Sequence, residues 1–600
     1  MSSNTPTTTT PVTSLKRKLS NADLAGSHSH VKSRELKRAT TVNYVYQDEE
    51  KQGSLKPLNG FVTPLLTDMY QITMAYSLWR NHRHDNPAVF DLYFRKNPFG
   101  GEFTVFAGLE EVIRFVSDFH FTQSEIEHVR SILPDCDEGF LEYLSKLDAS
   151  KVSLYAIQEG SIVFPRIPLI RVEGPLAICQ LLETTLLCLV NFASLIATNA
   201  ARHRLACGKD KIMLEFGLRR AQGPDGAMSA SRYAYLGGAD GTSNVLAHCF
   251  FGVPVRGTHA HSFVTSYHSI DDLPESTVLD PNGKTHDLLK LALKYRDELE
   301  FKTTVLSELY AFLAYARTFP KGFLALVDTY DTLNSGVPNF LCVSLALHEI
   351  GYQGVGIRLD SGDLSYLSKE SRKMFKKVGQ KYGIDYFDKL QIVASNDLNE
   401  ATINALNRQG HEIDVFAIGT NLVTCQAQPA LGCVYKLVEI NGQPRIKLSQ
   451  ESSKVTLPGR KLAYRIFGEA GHPLVDLLVI QPHHTNGDKD NGSAAHVQDE
   501  IPEAGKRVMC LHPFEEQKRV LVTPSSVVNL HKKVFDQGVV CEPLPSLSDI
   551  RTYCLSELGK IREDHLRPSN PTPYKVSVTK NLYDTLHGLW LESVPIKEMK

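Results

Sequence analysis

The sequence predicts an α/β protein in which a parallel (β/α) barrel stands beside a sandwich-like α/β layer assembled from the two ends of the chain. Three observations carry that expectation. Between residues 177 and 440, apolar runs of strand type repeatedly end in glycine or polar residues before a helical pattern begins, which is the signature of parallel βα units. On either side of that region strand-like runs are separated by turn residues rather than helices, as in an antiparallel sheet. Finally, 600 residues with 42% hydrophobic and 22% charged side chains suffice for a large core and more than one domain.

In chain order, residues 1–56 are rich in Thr, Ser, Pro and Lys, with TPTTTTP near the start and Lys16-Arg17-Lys18 after it. Such a composition buries too little apolar surface to fold alone and reads as a solvated tail. Order begins near Pro57, and residues 65–79 (LLTDMYQITMAYSLW) have helical spacing with Thr67 or Asp68 as N-cap. Residues 88–95 and 103–106 flank an NPFGG turn, and residues 152–157 and 162–172 flank Glu159-Gly160, so the segment 57–176 reads as hairpins with helices. A long helical pattern over 177–206 opens the barrel region, 177–440. Its most apolar part, 186–201, is interrupted by Asn191, Ser194 and Asn199, which suits a buried helix rather than a membrane span. Strands then end near Phe216 (KIMLEFG), Thr258 (VPVRGT), Asp328 (FLALVD), Leu359 (GVGIRL), Ser395 (LQIVAS) and Ile418 (DVFAI). The later spacings, roughly 25 to 35 residues, fit strand plus helix plus two short loops. A closed barrel and an open doubly wound sheet share that spacing. After residue 440 strand and turn signals return, residues 484–496 (HTNGDKDNGSAAH) read as a mobile loop, and residues 546–590 close the chain with helix, strand and helix. The segment 441–600 is therefore expected to complete the layer begun by 57–176.

Charge and cysteine usage narrow the function classes. A net charge of -2 and a pI near 6.9 supply no global field to attract nucleic acid or an anionic membrane. Any anion must be held locally. The eleven cysteines are scattered, with no paired CxxC, and read as reduced thiols of a cytosolic protein.

The stretch VPVRGTHAHSFVTSY, residues 253–267, ends an apolar run in Gly257 and Thr258 and then delivers His261. Glycine at a strand end lets backbone lie close to a ligand, and parallel α/β proteins bind ligands at strand carboxyl ends. A buried, hydrogen-bonded core histidine is the commoner fate of a single His at such a corner. Four more strand-end loops bring polar groups to the same end: Asp328-Thr329-Tyr330-Asp331, Arg358-Leu359-Asp360-Ser361-Gly362-Asp363, Ser395-Asn396-Asp397 and Gly419-Thr420-Asn421. Asp363 and Asp397 also suit helix N-caps. Gly419-Thr420 before a helix presents free N–H groups to an anion. Asp360 and Asp328 are hard oxygen ligands suited to Mg²⁺ shared with phosphate oxygens, which implies a magnesium-diphosphate substrate.

As an ordered set, LLTDMYQ at Leu65, LEFGLRRAQGPDG at Leu214, GGADGTSNV at Gly237, GTHAHSFV at Gly257, VDTYDT at Val327, IRLDSGD at Ile357 and IGTNLVTC at Ile418 resemble the nicotinate phosphoribosyltransferase family. The resemblance runs from about Pro57 to the C-terminus. It implies a type II phosphoribosyltransferase fold, an irregular (β/α) barrel beside a sandwich domain, and a homodimer with shared active sites. It further implies the joining of nicotinate to 5-phosphoribosyl-1-diphosphate, coupled to ATP hydrolysis, with Mg²⁺ or Mn²⁺ and no nucleic-acid or membrane partner. His261 would be the histidine that ATP phosphorylates, with Arg358 and Asp360 beside it in catalysis. His259, two positions earlier, is an extra histidine at a variable place in the motif, so the assignment rests on spacing. Tyr70 and Phe216 resemble the aromatics that sandwich the pyridine ring, and Arg358, Thr258 and Ser243 the groups meeting its carboxylate. Arg219, Asp328, Gly419 and Thr420 would hold the sugar diphosphate, with the metal at Asp360 and Asp328. Taken singly, Tyr70 and Phe216 also suit plain core, and Arg219 an i,i+4 pair with Glu215. A nicotinamide-using relative and a non-catalytic regulator on the same fold are the rival readings.

Overall fold

Six short parallel strands lie in the order Leu324–Leu326, Gly356–Leu359, Gln391–Ala394, Val415–Ile418, Ile212–Glu215 and Gly241–Thr242. Ile212–Glu215, first of the six in sequence, pairs with Val415–Ile418, the last. That pairing of first with last curls the sheet into a ring, so the barrel and not the open sheet is the closure. Beyond Thr242 the ring continues through a single parallel bridge to Val255. The strand expected to end at Thr258 is reduced to this one bridge. Pro254, which has no N–H to donate, and Gly257 bracket Val255 and limit its pairing. A side chain closes the remaining seam: the Leu326 N–H donates to His259 Nε2 at 3.3 Å. The barrel is therefore irregular at one defined place. The structure, a computed structural model, describes residues 55–451, 454–481 and 500–594. The expected tail lies outside these residues except at 55 and 56, and the expected loop at 484–496 lies wholly outside them.

Strand periodicity sets what faces the lumen. Leu214, Leu324, Val393, Val415 and Ala417 form a small apolar cluster with Phe216 and Val355. Their alternates Met213, Ala325, Ile357, Ile392 and Phe416 belong to the large outer core. With period two, the same lumen parity extended past the strand ends reaches Phe216, Asp328, Arg358, Asp360, Ser395 and Gly419. The polar loop residues are thus the continuation of the rows that fill the barrel. Helices pack outside the ring. The run Leu176–Cys207 is long and apolar enough to cross a membrane by composition, but more than half of its most apolar window is buried inside the protein. Buried Asn199 anchors it by donating to the Asn421 carbonyl at 2.9 Å, as its polar interruptions lead one to expect of a core helix.

Two further large sheets come from both ends of the chain. One has the order Gln443–Pro444, Cys433–Ile440, Pro87–Phe94, Ile170–Pro175, Ser153–Ala156, Lys532–Asp536 and Val539–Val540. The other runs Arg519–Val522, Val508–Leu511, Lys575–Val578, Pro473–Ile480, Lys461–Phe467 and Ser526–Asn529. A buried ion pair joins them, Lys461 Nζ to Asp91 Oδ2 at 2.8 Å. The lysine also donates to the Leu457 carbonyl at 2.8 Å, so the charge is satisfied rather than stranded.

The first expected hairpin does not form as read, whereas in the second Ser153–Ala156 pairs antiparallel with Ile170–Pro175. Pro87–Phe94 pairs with Cys433–Ile440 and Ile170–Pro175, and Thr104–Val105 pairs instead with Ile162–Val163. The connection through Glu159-Gly160 is longer than a tight turn, because Ile162–Val163 leaves it to pair with Thr104–Val105. Buried Glu159 accepts from the Gly108 N–H at 2.6 Å and the Glu110 N–H at 3.0 Å, capping the helix Leu109–Ser117 from a distance. The helix expected at 65–79 spans Met69–Arg80 with Asp68 at its N-cap position. The closing helix, strand and helix are Leu547–Lys560, Lys575–Val578 and Lys580–Ser593.

Candidate active site

A cleft of about 950 Å³ opens at the carboxyl end of the barrel, lined in part by Phe216, Ser243, Thr258, Arg358, Asp360 and Gly419. Phe216 ends its strand with its N–H donated to the Ile418 carbonyl at 2.8 Å, which holds the half-buried ring at the lumen mouth. Directly after it, a Cβ on Gly217 would lie 2.4 Å from Val423 Cγ1 and 2.9 Å from the Gly419 carbonyl oxygen. Only glycine lets these two strand-end loops meet so closely.

His261 opens the helix His261–Thr265, and its imidazole lies between acids from two neighbouring strands. Its Nε2 is 3.7 Å from Asp360 Oδ2 and 3.9 Å from Asp328 Oδ1, and its Nδ1 is 3.1 Å from Thr329 Oγ1. Both carboxylates are themselves positioned. Asp328, almost wholly buried, accepts from the Asp360 N–H at 3.1 Å and from the Ser361 hydroxyl through Oδ2, while buried Oδ1 has no hydrogen-bond partner. Asp360 Oδ1 accepts from the Ser395 hydroxyl, leaving Oδ2 toward the imidazole. Two carboxylate oxygens thus converge on one histidine nitrogen, and a hydroxyl covers the other.

His259 differs from His261 in burial and partners, although it is His259 and not His261 that is among the residues lining the cleft. It is 9% exposed against 42% for the His261 side chain, and it is ringed by Phe263, Phe312 and Tyr315. Burial pushes its pKa down to about 4, with Arg358 and His261 adding to the effect. Nε2 accepts the Leu326 N–H, so His259 is a neutral closure of the barrel seam.

Arg358 projects from Gly356–Leu359 into the lumen mouth and donates through one terminal nitrogen to Thr258 Oγ1 at 3.0 Å. Its buried Nε has no hydrogen-bond partner. Burial pushes the guanidinium pKa down, the Asp360 and Asp328 carboxylates push it back up, and Arg219 lowers it again. A half-buried cationic fork with an unused donor is suited to a planar carboxylate.

The remaining expected residues divide. Ser243, Arg219, Gly419 and Thr420 all line the cleft. The helix after Gly419, Thr420–Thr424, has five residues, so its dipole is small and the anion-facing contribution is that of local N–H groups. Arg219 is exposed and no ion pair joins it to Glu215 among the described residues; the Glu215 carboxylate accepts instead from Gly217 N–H, Ser231 and Thr242. Asp363 caps the helix Leu364–Tyr382 through the Tyr366 N–H at 2.9 Å. Asp397 is no cap, since Asn399 caps the helix Glu400–Gln409; it lines the cleft with φ at +41°. Tyr70 is apart from all of these. It lies on the first turn of Met69–Arg80, 48% exposed, and does not line the cleft.

Among the described residues no group of three or more His, Cys, Asp or Glu side chains forms a metal cage. Asp328 Oδ1 and Asp360 Oδ2 still fit Mg²⁺, which takes one or two protein carboxylates and completes its shell with water and phosphate. Sequence reasoning passed over Arg220 and Arg256, which add positive charge to the cleft, and the roles of Thr329 and Ser395 in holding His261 and Asp360. The double arginine in GLRRAQG was the available signal for Arg220; nothing local marks Arg256.

Comparison with known proteins gives concordant matches. Models of the nicotinate phosphoribosyltransferase (NAPRTase) N-terminal domain, family and C-terminal domain match residues 65–191, 347–498 and 460–586. Nicotinate phosphoribosyltransferase of Dictyostelium discoideum is 70% identical over 594 residues, 98% of this chain and 99% of its own length. The Homo sapiens protein of that name is 44% identical over 536 residues, 88% of this chain and 96% of its own. The crystal structure of human nicotinic acid phosphoribosyltransferase superposes with a TM-score of 0.76 at 41% identity, covering 87% of this chain and 99% of the other. A nicotinate-nucleotide pyrophosphorylase from Pyrococcus furiosus, 22% identical with a TM-score of 0.50, shares the fold.

Proposed function

This chain belongs to the nicotinate phosphoribosyltransferase family, and from that premise we propose that it joins nicotinate to 5-phosphoribosyl-1-diphosphate, giving nicotinate mononucleotide and diphosphate. The observation that carries the reading is the half-buried Arg358 fork, one arm on Thr258 and its Nε without a partner, at the same cleft as Phe216 and the Asp360 carboxylate. Nicotinate is a planar ring with a carboxylate on one edge. Phe216 offers it a face, and Arg358, Thr258 and Ser243 offer its carboxylate charge-assisted and neutral donors. The pyridine nitrogen attacks C1 of the sugar, the C1–O bond breaks, and diphosphate leaves with the electron pair. Arg219 and the Gly419-Thr420 N–H groups neutralise that leaving group. When bound, Mg²⁺ or Mn²⁺ at Asp360 and Asp328 would screen diphosphate charge.

ATP hydrolysis is coupled through His261 in this reading. The two carboxylates, 3.7 and 3.9 Å from Nε2, and the Thr329 hydroxyl at Nδ1 orient the ring between them. An imidazole nitrogen of His261 attacks the γ-phosphorus, the bond to ADP breaks, and the carboxylates stabilise the positive charge that develops on the ring. Water later hydrolyses the phosphohistidine. Tyr70 completes the pyridine site from a second subunit of a homodimer, and the enzyme works in the cytosol on small molecules alone. The domain division proposed is a barrel over 177–440 with flanking segments 57–176 and 441–600 forming the other domain. Product analysis with nicotinate, nicotinamide and quinolinate, each with and without ATP, tests the whole reading: nicotinate mononucleotide is expected from nicotinate, and preferred turnover of nicotinamide would overturn it.

A further inference from the structure

A second cavity, of about 540 Å³, lies in the sheets built from the chain ends, away from the barrel mouth. Five permanent cations line it, Arg95, Arg166, Lys518, Arg519 and Lys575, against a single carboxylate, Glu102. Lys518 is paired with Glu515 at 2.9 Å. Among the described residues, the other four have no carboxylate within ion-pair distance, and the buried Arg95 Nε has no hydrogen-bond partner. The rest of the wall is largely apolar, with Val520, Val576 and Tyr574.

Arg166 is held there at a cost. Its φ is +71°, a backbone region that a non-glycine residue rarely adopts. Its guanidinium lies 4.8 Å from the centre of the Phe514 ring. Burial lowers its pKa, Tyr93 and Glu515 push it back up, and among the described residues no carboxylate lies within ion-pair distance of it. Half-buried Arg95 and Arg166 lose hydration and are repelled by each other and by the exposed Arg519 and Lys575 at the rim, so the arrangement is one that an anion would relieve. We propose that this cavity is a second ligand site, distinct from the barrel cleft, that takes a small organic phosphate of nucleotide size. Phosphate oxygens meet the arginines as bidentate pairs, and the apolar wall accepts the organic part. The proposal does not depend on which reaction the barrel cleft performs.

Trp590 makes the site observable. Its ring is 6.3 Å from that of Phe514, which carries Arg166, and Trp79 is the only other tryptophan of the chain. In the full chain with Trp79→Phe, titration with ADP and separately with inorganic tripolyphosphate should change Trp590 fluorescence saturably, and adenosine should not. Arg166→Gln, and independently the rim variants Arg519→Glu and Lys575→Glu, should weaken binding at least tenfold, the loss expected for a charge-assisted contact. Asp360→Asn, in the barrel cleft, should leave the signal unchanged. No saturable change with either phosphate compound overturns the proposal. So does a response that survives all three cavity variants or vanishes in Asp360→Asn.

Discussion

Replacing Arg358 by alanine is the most direct probe of substrate choice in the barrel cleft. The guanidinium keeps one hydrogen bond, to Thr258 Oγ1 at 3.0 Å, and has a buried Nε without a partner. Alanine therefore removes a half-buried cation and up to two donors that a carboxylate would engage together. Hydrogen bonds to charged groups contribute about 1.5 to 3 kcal/mol each, and their effects in one fork are not additive, so a loss of about 2 to 4 kcal/mol is expected. That corresponds to a rise of roughly 30-fold to 900-fold in KM for nicotinate. Steady-state kinetics with each substrate varied in turn is the assay, with thermal unfolding to confirm a folded variant. Arg358→Lys should fall between the two, since it keeps the charge and loses the planar fork. An equal rise in KM for nicotinate and for the sugar diphosphate would refute the reasoning and move Arg358 to the phosphate side.

His261→Ala should abolish phosphate incorporation from labelled ATP while leaving a low ATP-independent synthesis; retained incorporation would show that another residue is the acceptor. Mixing the nearly inactive Tyr70→Ala and His261→Ala proteins should restore up to half the wild-type activity per heterodimer, because one site then carries neither lesion; no recovery despite demonstrated subunit exchange would place Tyr70 in its own chain's site. Buried His259 and His531 both have pKa values pushed to about 4, below the unfolded value near 6.5, so the unfolded chain binds more protons between these limits. Stability should accordingly be full above pH 6.5 and fall as pH drops toward 4, by up to about 3 kcal/mol per histidine, and His531→Gln should flatten the dependence of denaturant midpoints on pH. Removing residues 1–54 should keep kcat/KM within about tenfold, since the cleft is lined by residues between Phe216 and Gln426; a larger loss would make the tail part of the site.

Much of the barrel was legible because its determinants are local. Apolar runs such as FLALVD and GVGIRL carry their own period, so the strand ends and the polar residues beyond them follow from a few consecutive positions. The same parity extended past each strand brings Arg358, Asp360 and Gly419 to one cleft, with Asp328 behind them as acceptor of the Asp360 N–H. Pairing partners are not local. Pro87–Phe94 resembles half of a hairpin, yet its neighbour Cys433–Ile440 comes from far along the chain, and no short-range signal distinguishes the two outcomes. Nor does sequence distinguish two histidines one residue apart in HAH. Tertiary packing separates them: aromatic neighbours and the Leu326 N–H bury and neutralise His259 as the seam of the barrel, while His261, one residue beyond the turn, meets Asp328 and Asp360 from strands brought alongside only when the ring closes. Residue types and strand ends were therefore determined by the sequence itself. Which imidazole is free, which acids face it and where Tyr70 lies depend on surfaces that come together only in the folded chain, because burial and proximity are properties of the whole packing and not of any one stretch.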